Sequence, residues 1–533
     1  MITTLDVETT FHVGETKRTD PTPFHPNNRL VSVQYNTCQD LEPKFVWFYH
    51  EKKNPDLPVA HSQVQQILNN TTLLVGHNIK FDLVWLWESG FSYSGRVYDT
   101  MIGEYLLLKG QKYSLSLHDS CIRRKVSLKK SDLTKDYLTR GVGFDRMPCE
   151  IVEEYGVADI VSTRELYEHQ QKLFKNSVME KHLKLMNGFL FTLATIERNG
   201  IKIDLQALQD VKQAYRKEKL ELERTMHEIM REVMGDTPVN FASPEQISQM
   251  IYSRKVKNKK NWAEMFNIGL NEKGKPLPRP RMSVGAFVKV IKSMTERVHK
   301  TTALHCNTCS GKGKFFKRKK NGQPWKKESK CRICKGAGYL LKKHAAVAGL
   351  TMNPRDVRDV SANGFATDKV TLMRLLDDAK AKGNEVAEKF LRCSIRLNAV
   401  DVYLSSFVGG IERNVKPNAI LHPKYNQCVT RTTRLSSSDP NFQNQPRGNT
   451  FPVRAVVVSR FDGGKILQAD YSQLEFRVAA QLSGDEVMKK DILDGSDVHK
   501  YTASIIFDKD EKDVTKDERT MAKAHTFKPL YGG

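Results

Sequence analysis

Residues 465–475 read KILQADYSQLE, in which a mostly apolar segment runs directly into Asp470. The apolar residues before Asp470 predict a buried strand. A carboxylate at the end of such a strand can be held rigidly and still reach a cleft. A helix is predicted farther along, because two cations and two aromatic residues recur at intervals of four. Cations on one helix face suit a polyphosphate, and aromatic rings suit a base that stacks on them. These four residues are Arg519, Lys523, Phe527 and Tyr531.

The bulk composition narrows the class of partner. The chain has 533 residues, with 85 Lys and Arg against 61 Asp and Glu, and a formal net charge of +24. This length predicts roughly three or four domains. The excess of positive charge favours a nucleic acid as partner over a membrane surface. The opening residues show no signal-peptide pattern and no run approaches about twenty apolar residues, so we expect no membrane contact and a cytoplasmic location.

Four carboxylates and a tyrosine are spaced as a metal-dependent nuclease requires. Asp6 and Glu8 are two residues apart in a predicted strand, and period-2 geometry points them to the same side. Asp82 follows a predicted buried strand that breaks into a helix. Tyr155 precedes Asp159 by one helical turn. Such acids can hold two cations that activate water and stabilise the leaving oxygen, while the phenol orients the water.

A single D-x-E pair is common on protein surfaces, but the ordered set D-x-E, N-x-x-x-D, Y-x-x-x-D is far more specific. It resembles the DEDDy family of 3′–5′ exonucleases, the proofreading domain of DNA polymerases, over roughly residues 1–180. The resemblance implies an RNase H-like α/β fold with Mg²⁺ or Mn²⁺ at the site. The alternative, an inactive structural relic, is disfavoured because all five positions are filled. The implied metal ligands are Asp6, Glu8, Asp82 and Asp159, with Tyr155 positioning the nucleophile.

Residues 181–234 predict two consecutive helices. Gly200 is expected to end the first helix, and Asp204 to cap the start of the second. A core-facing stripe is predicted on the first helix from its helical spacing, and two further residues are expected to widen that stripe. The stripe consists of Leu183, Met186, Leu190 and Leu193, widened by Phe189 and Ile196.

Between residues 252 and 355 the composition shifts to Lys, Arg and Gly. Two C-x2-C knuckles in this insert supply four thiolates, the spacing of a structural Zn²⁺ site without a vacancy for catalysis. Glycines after each knuckle permit backbone N–H groups to turn toward sulfur. The repeat C-x2-C-x-G-x-G resembles the cysteine-rich module of the DnaJ chaperone family over these short stretches only, and a redox-active dithiol pair is the alternative. The four cysteines are Cys306, Cys309, Cys331 and Cys334.

A basic run at residues 314–320 mixes cations with aromatic residues, a pattern that is typical of loops that bind nucleic acids and also of a solvated finger tip.

Three longer motifs resemble the family A DNA polymerases, the Pol I-like group that includes many phage replicases. They read TRTTRLSSSDPNFQNQP (430–446), DYSQLEFR (470–477) and RTMAKAHTFKPLYG (519–532). The resemblance implies an exonuclease domain (1–180), an α-rich thumb (181–251 and 356–410) interrupted by the zinc-bearing insert (252–355), and an incomplete α+β palm and fingers (411–533) of a right-hand polymerase. Its substrates would be primer–template DNA and dNTPs, with Mg²⁺ or Mn²⁺ at the polymerase site.

The same resemblance implies roles for individual residues. Asp470 would be one of two metal-binding carboxylates, and Glu475 the steric gate that excludes a ribose 2′-OH. Thr433 stands where the family has glycine, so the local backbone or primer contact is expected to differ. His499, Arg519 and Lys523 would hold the triphosphate, and Phe527 and Tyr531 would pack against the incoming sugar and the templating position. The DNA contacts would be Arg434 at the primer end, and Asn441, Gln443 and Asn444 along the duplex.

The family's second catalytic carboxylate belongs to a His-Asp-Glu-like motif well beyond the helix, and the sequence contains no such motif there. We therefore expect a second polypeptide, from a split or spliced gene, to complete the palm; an incomplete sequence is the alternative. The chain alone is then expected not to polymerise at a useful rate. Two other functions stay open: a stand-alone exonuclease with a DNA-binding polymerase remnant, and a non-catalytic piece whose zinc insert binds DNA or a processivity factor.

Overall fold

The computed structural model describes residues 1–13, 19–271, 276–318, 324–445 and 453–528, with the side chains of 315–318, 324–327, Ala524 and Phe527 left out. The chain divides into two compact units, Met1–Arg460 and Phe461–Gly533. None of the described helices is both long enough and apolar enough to cross a membrane.

A five-stranded mixed sheet forms the centre of the first 175 residues. Its spatial order is 44–47, 30–37, 2–9, 73–76 and 96–99. The first strand pairs antiparallel with 30–37 and parallel with 73–76, so it lies in the middle of the sheet and is buried over most of its length. The strands are Ile2–Thr9, Leu30–Thr37, Lys44–Trp47, Leu73–Gly76 and Arg96–Asp99, with a small hairpin of His12–Val13 and Thr19–Asp20. The helices are Leu57–Asn70, Lys80–Glu88, Thr100–Leu107, Leu117–Arg124, Asp132–Thr139 and Cys149–Phe174. This confirms an α/β fold for the first domain.

One glycine allows the long helix Cys149–Phe174 to approach this sheet. A Cβ atom added at Gly156 would lie 2.5 Å from Nε2 and 2.7 Å from Cγ of Gln34. Gln34 is fully buried on the central strand pair, opposite Asp6, so it has little room to move aside. Glycine at this position therefore brings the adjacent Tyr155 and Asp159 close to the first strand.

Residues 179–460 are mainly helical. The predicted helix boundary is confirmed: the helices Met179–Asn199 and Leu205–Met234 are separated at Gly200, whose φ is +61°, and Asp204 accepts a hydrogen bond from the Ala207 N–H. The further helices are Pro244–Tyr252, Lys259–Met265, Val284–Met294, Lys369–Ala381, Glu385–Val402, the π-helix Tyr403–Val408 and Gly409–Asn414, with 3-10 turns at Val357–Asp359 and Val453–Val456. A three-stranded sheet orders Ile420–Leu421, Ile201–Ile203 and Val457–Val458, and the two-stranded pairs are Arg254–Val256 with Thr295–Arg297, Val360–Ser361 with Gly364–Phe365, and Lys424–Asn426 with Ser436–Ser438.

The core stripe of the helix Met179–Asn199 is narrower than expected. Leu183, Met186, Leu190 and Leu193 are buried, as predicted. Phe189 and Ile196 are 39% and 44% exposed, so the expectation that they widen the stripe is wrong. A helix of this spacing can bury a stripe of variable width, and here the packing of its neighbours decides the width.

The insert projects a two-stranded ribbon from the helical core. His299–His305 pairs antiparallel with Tyr339–Val347, and most residues of both strands are exposed. The ribbon leads to the two knuckles, which flank a second pair, Lys314–Arg318 with Pro324–Lys330. Its base is attached to the end of the helix Leu205–Met234, where the Ala303 N–H donates to Asp236 and the Lys300 ammonium donates to the Glu232 carbonyl.

The second unit contains the helices Leu474–Ser483, Glu486–Leu493, Val498–Phe507 and Lys516–Phe527, with a 3-10 turn at Glu511–Asp513. The strand predicted before Asp470 is wrong: residues 464–470 are exposed and lack regular secondary structure. A strand needs a neighbour for its backbone hydrogen bonds, and no strand of the described residues pairs with this segment.

Candidate active site

Three of the predicted carboxylates converge beside the central strand. Asp6, Glu8 and Asp159 each offer an oxygen atom within 4.8 Å of the others. Asp6 and Glu8 project from the same side of the strand Ile2–Thr9, while Asp159 projects from the helix Cys149–Phe174. Asp159 Oδ1 is buried without a hydrogen-bond partner among the described residues. A set of hard oxygen donors with an unsatisfied atom suits Mg²⁺ or Mn²⁺.

Asp82 lies next to this group at the start of the helix Lys80–Glu88. Its Oδ1 accepts a hydrogen bond of 3.0 Å from the backbone N–H of Val7, the residue between Asp6 and Glu8. The structure thus ties Asp82 to the strand that carries the first two acids.

Burial and mutual repulsion control the charge of these acids. Burial, followed by repulsion from Asp159, raises the pKa of Asp6 to about 7. Burial also raises the pKa of Glu8 and Asp82 well above their usual values, and Asp6 adds to the shift of both. Carboxylates that resist ionisation together are a favourable binding place for divalent cations, which supply the missing positive charge.

Tyr155 is positioned by the same helix. Tyr155 precedes Asp159 by one helical turn, and burial, then repulsion from Glu8, raises the pKa of its phenol, so it remains protonated at neutral pH. Sequence reasoning missed Lys129, whose ammonium forms an ion pair with Asp159 and lies 4.4 Å from the centre of the Tyr155 ring. A single lysine in a polar loop carries no spacing signal that would have revealed this position.

The four cysteines of the insert also converge. Their sulfur atoms all lie within 4.8 Å of one another, with 3.9 Å between Cys306 and Cys331 and 3.6 Å between Cys309 and Cys334. Tetrahedral Zn²⁺ with bonds near 2.3 Å requires sulfur separations of about 3.8 Å. The Gly313 and Gly338 N–H groups donate to Cys309 and Cys334, as the glycine spacing predicts. The residues therefore fit one structural Zn²⁺.

Within the second unit, three predicted phosphate-binding residues form one basic cluster. Asp497 caps the helix Val498–Phe507 and accepts a 2.6 Å hydrogen bond from Arg519 Nε. Burial, then Arg519 and Lys523, lowers the pKa of His499. Glu475 lies in the first turn of the helix Leu474–Ser483, and Asp470 is exposed. The side chain of Phe527 and the whole of Tyr531 lie outside the described residues.

The predicted DNA-contacting residues belong to the first unit and are exposed. Arg434, Asn441, Gln443 and Asn444 all lie at the surface. Asn441 Oδ1 accepts hydrogen bonds from the Gln443 and Asn444 N–H groups and fixes a turn. Thr433, adjacent to Arg434, has a φ of +60°, a conformation that favours glycine. This explains physically why a glycine fits the position, and threonine there is strained.

Comparison with known families finds two matches along the chain. Residues 15–175 match the family described as 3'-5' exonuclease, and residues 349–533 match DNA polymerase family A. The two matches lie in the order that the sequence motifs predict. Residues 176–348, which include the four cysteines of the insert, are covered by neither.

Among individual relatives, a DNA polymerase of Bacillus phage SP01 is 26% identical over 86% of this chain and 44% of its own length. DNA polymerase I of Synechocystis is 25% identical over 91% of this chain and 38% of its own length. The chain thus spans less than half the length of these two relatives. A solved structure, the POL domain of Pol1 from M. smegmatis in complex with DNA primer-template and dNTP, aligns with 99% of this chain and 68% of its own, with a TM-score of 0.59 and 16% identity. That likeness supports the fold.

Proposed function

This chain belongs to DNA polymerase family A and carries a 3′–5′ exonuclease domain, and from that premise we propose that residues 1–180 remove the 3′-terminal nucleotide of DNA. The observation that carries the proposal is the convergence of Asp6, Glu8 and Asp159 within 4.8 Å. These carboxylates come from a strand and a helix about 150 residues apart in the chain, beside a phenol that stays protonated.

In this function Asp6, Glu8, Asp82 and Asp159 hold the cations. Bound divalent cations supply an activated water and stabilise the leaving oxygen. The Tyr155 hydroxyl, one helical turn from Asp159, would orient the attacking water. The helix Cys149–Phe174 fixes both residues against the sheet through the close approach at Gly156. Placement within a few tenths of an ångström matters, because the reacting groups must meet in one geometry.

The experiment is a single-strand exonuclease assay on the full chain with Mg²⁺. Asp6→Ala and Asp159→Ala should each lower the rate by at least about a hundredfold, since each removes a cation ligand. Asp136→Ala is the matched control, because Asp136 is an exposed acid that pairs with Arg140 on a nearby helix. Retained activity in both ligand variants would contradict the proposal.

We also propose that residues 411–533 carry part of a nucleotidyl-transfer site. His499, Arg519 and Lys523 would bind the triphosphate of a dNTP, a role that their shared basic cluster supports. Glu475 would exclude a ribose 2′-OH, and Asp470 would bind a catalytic cation, as the family resemblance implies. Phe527 and Tyr531 would pack against the incoming nucleotide. Arg434, Asn441, Gln443 and Asn444 would bind in the primer–template minor groove, whose acceptors are nearly the same for every sequence.

For the insert we propose a structural Zn²⁺ held by the four cysteines.

Residues 299–347 of the insert form a basic arm. They contain fourteen Lys and Arg and a single acidic residue, which favours DNA over a processivity factor as the partner of this arm. For every phosphate that the arm no longer neutralises, the salt slope of duplex binding should become shallower by about 0.9. Lys342→Gln with Lys343→Gln, both exposed on the ribbon, should therefore flatten the slope measured by fluorescence anisotropy. An unchanged slope would contradict this role.

The domain boundaries given by the sequence motifs, the cytoplasmic location and the need for a second polypeptide in polymerisation stay predictions. Primer extension by the 533-residue chain alone tests the last of these directly.

A further inference from the structure

One lysine lies among the carboxylates of the candidate exonuclease site. Lys129 pairs with Asp159, and its ammonium lies over the Tyr155 ring at 4.4 Å from the ring centre. Burial lowers the pKa of Lys129, but attraction from Asp159, Asp6 and Glu8 outweighs burial and raises it. Lys129 is therefore charged in this environment. Its side chain is 21% exposed, against 4% for Asp159.

The loop that carries Lys129 is fastened on both sides. Residues 125–131 connect the helices Leu117–Arg124 and Asp132–Thr139. Before Lys129, the backbone N–H and hydroxyl of Ser127 donate to Glu165 at 2.8 and 2.9 Å. After it, Lys130 pairs with Glu154 at 2.6 Å. Both acids belong to the helix that bears Tyr155 and Asp159, so these contacts fix the position of Lys129 along the axis of that helix.

We propose that Lys129 is the resident counter-ion of the carboxylate cluster in the metal-free protein, where it holds Asp159 and Tyr155 in place, and that divalent cations displace it. The inference rests on the proposed exonuclease function, because it assigns Lys129 to the same cation site. Three carboxylates within 4.8 Å repel one another, and one ammonium offsets part of that repulsion. A cation that enters the cluster is repelled by the same ammonium, so Lys129 lowers the affinity of the site for metal.

The test compares Lys129→Met with the wild-type full chain by Mn²⁺ binding and by thermal unfolding in excess chelator at pH 8. Without the ammonium, the Mn²⁺ dissociation constant at this site should fall about tenfold. The metal-free variant should unfold at a lower temperature than wild type, and saturating Mn²⁺ should abolish that difference. Lys129→Arg keeps the charge and should behave like wild type in both measurements. Unchanged Mn²⁺ affinity in Lys129→Met would overturn the inference.

Lys135→Met is the matched control, because it makes the same chemical change six residues away, at an exposed lysine outside the contacts that fasten the loop. It should leave the Mn²⁺ affinity unchanged, and an equal tightening in this control would also overturn the inference. Asp159→Ala distinguishes a failure of the proposed metal site from a failure of the role proposed for Lys129. If wild type and Asp159→Ala bind Mn²⁺ equally, the proposed metal site itself fails. If Asp159→Ala alone loses binding while Lys129→Met matches wild type, only the role of Lys129 fails.

Discussion

The pKa of Asp99 reports how strongly the protein core disfavours a buried negative charge. It closes the strand Arg96–Asp99 and caps the helix Thr100–Leu107, with its Oδ1 accepting hydrogen bonds from the Asn78 and Met101 N–H groups at 2.9 and 2.8 Å. The residue is 1% exposed. Burial raises its pKa from 3.8 to about 6, against the opposing effect of the backbone N–H groups. The folded chain therefore holds a proton at a pH where the unfolded chain has lost it.

Stability must then fall as pH rises through this window, because the folded state binds more protons than the unfolded state. A shift of about two pKa units corresponds to about 3 kcal/mol in full, of which about 1.4 kcal/mol develops between pH 5 and pH 8. Asp99→Asn keeps the Oδ1 acceptor and cannot ionise. The variant should thus gain about 1.4 kcal/mol relative to wild type between these two pH values, equivalent to about 3–6 °C in the unfolding temperature of a domain of this size.

The assay is thermal unfolding of both proteins in excess chelator at pH 5 and pH 8, followed by the fluorescence of Trp85 and the other tryptophans. Asp56→Asn, at the exposed N-cap of the helix Leu57–Asn70, controls for the loss of a capping carboxylate. An Asp99→Asn advantage that is the same at both pH values would refute the reasoning, since burial of an ionisable group would then not be the cause.

Two further predictions concern the insert and the strained turn. The purified chain should contain about one zinc per molecule by elemental analysis, and Cys309→Ser should lose it while Cys38→Ser, at an exposed cysteine outside the cluster, should keep it. A folded, metal-free insert in the wild-type chain would disprove the site. Thr433→Asn should stabilise the chain by about 1 kcal/mol in urea unfolding, because asparagine tolerates positive φ better than a β-branched residue. The neighbouring Thr432→Asn should give no such gain, and equal effects of the two would argue against strain at Thr433.

Features that depend on near neighbours in the chain could be predicted from the sequence. The period-2 relation of Asp6 and Glu8 and the cap formed by Asp204 each depend on neighbours within four residues, and the structure shows both as expected. The strand predicted before Asp470 failed for the complementary reason. Its apolar residues satisfy a local pattern, but a strand is completed by a partner that the local sequence does not specify. Phe189 and Ile196 are exposed for a similar reason, because the packing of neighbouring elements, and not helical spacing alone, decides how wide the buried stripe is.

Lys129 shows what patterns cannot supply even where the motif is recognised. Thirty residues separate it from Asp159 in sequence, and more than a hundred from Asp6, so its place depends on three surface contacts that fasten a loop to a helix. Hydrogen bonds and ion pairs of these kinds are common on protein surfaces, and their residue types do not indicate a nearby active site. Their effect is specific because the helix they fasten is the one that approaches Gln34, on the strand Leu30–Thr37, closely at Gly156. The acids can be recognised from a sequence motif, whereas the position of the lysine that balances their charge depends on the contacts of its loop. Further site residues in this fold should therefore be sought in loops that contact the helix bearing Tyr155 and Asp159.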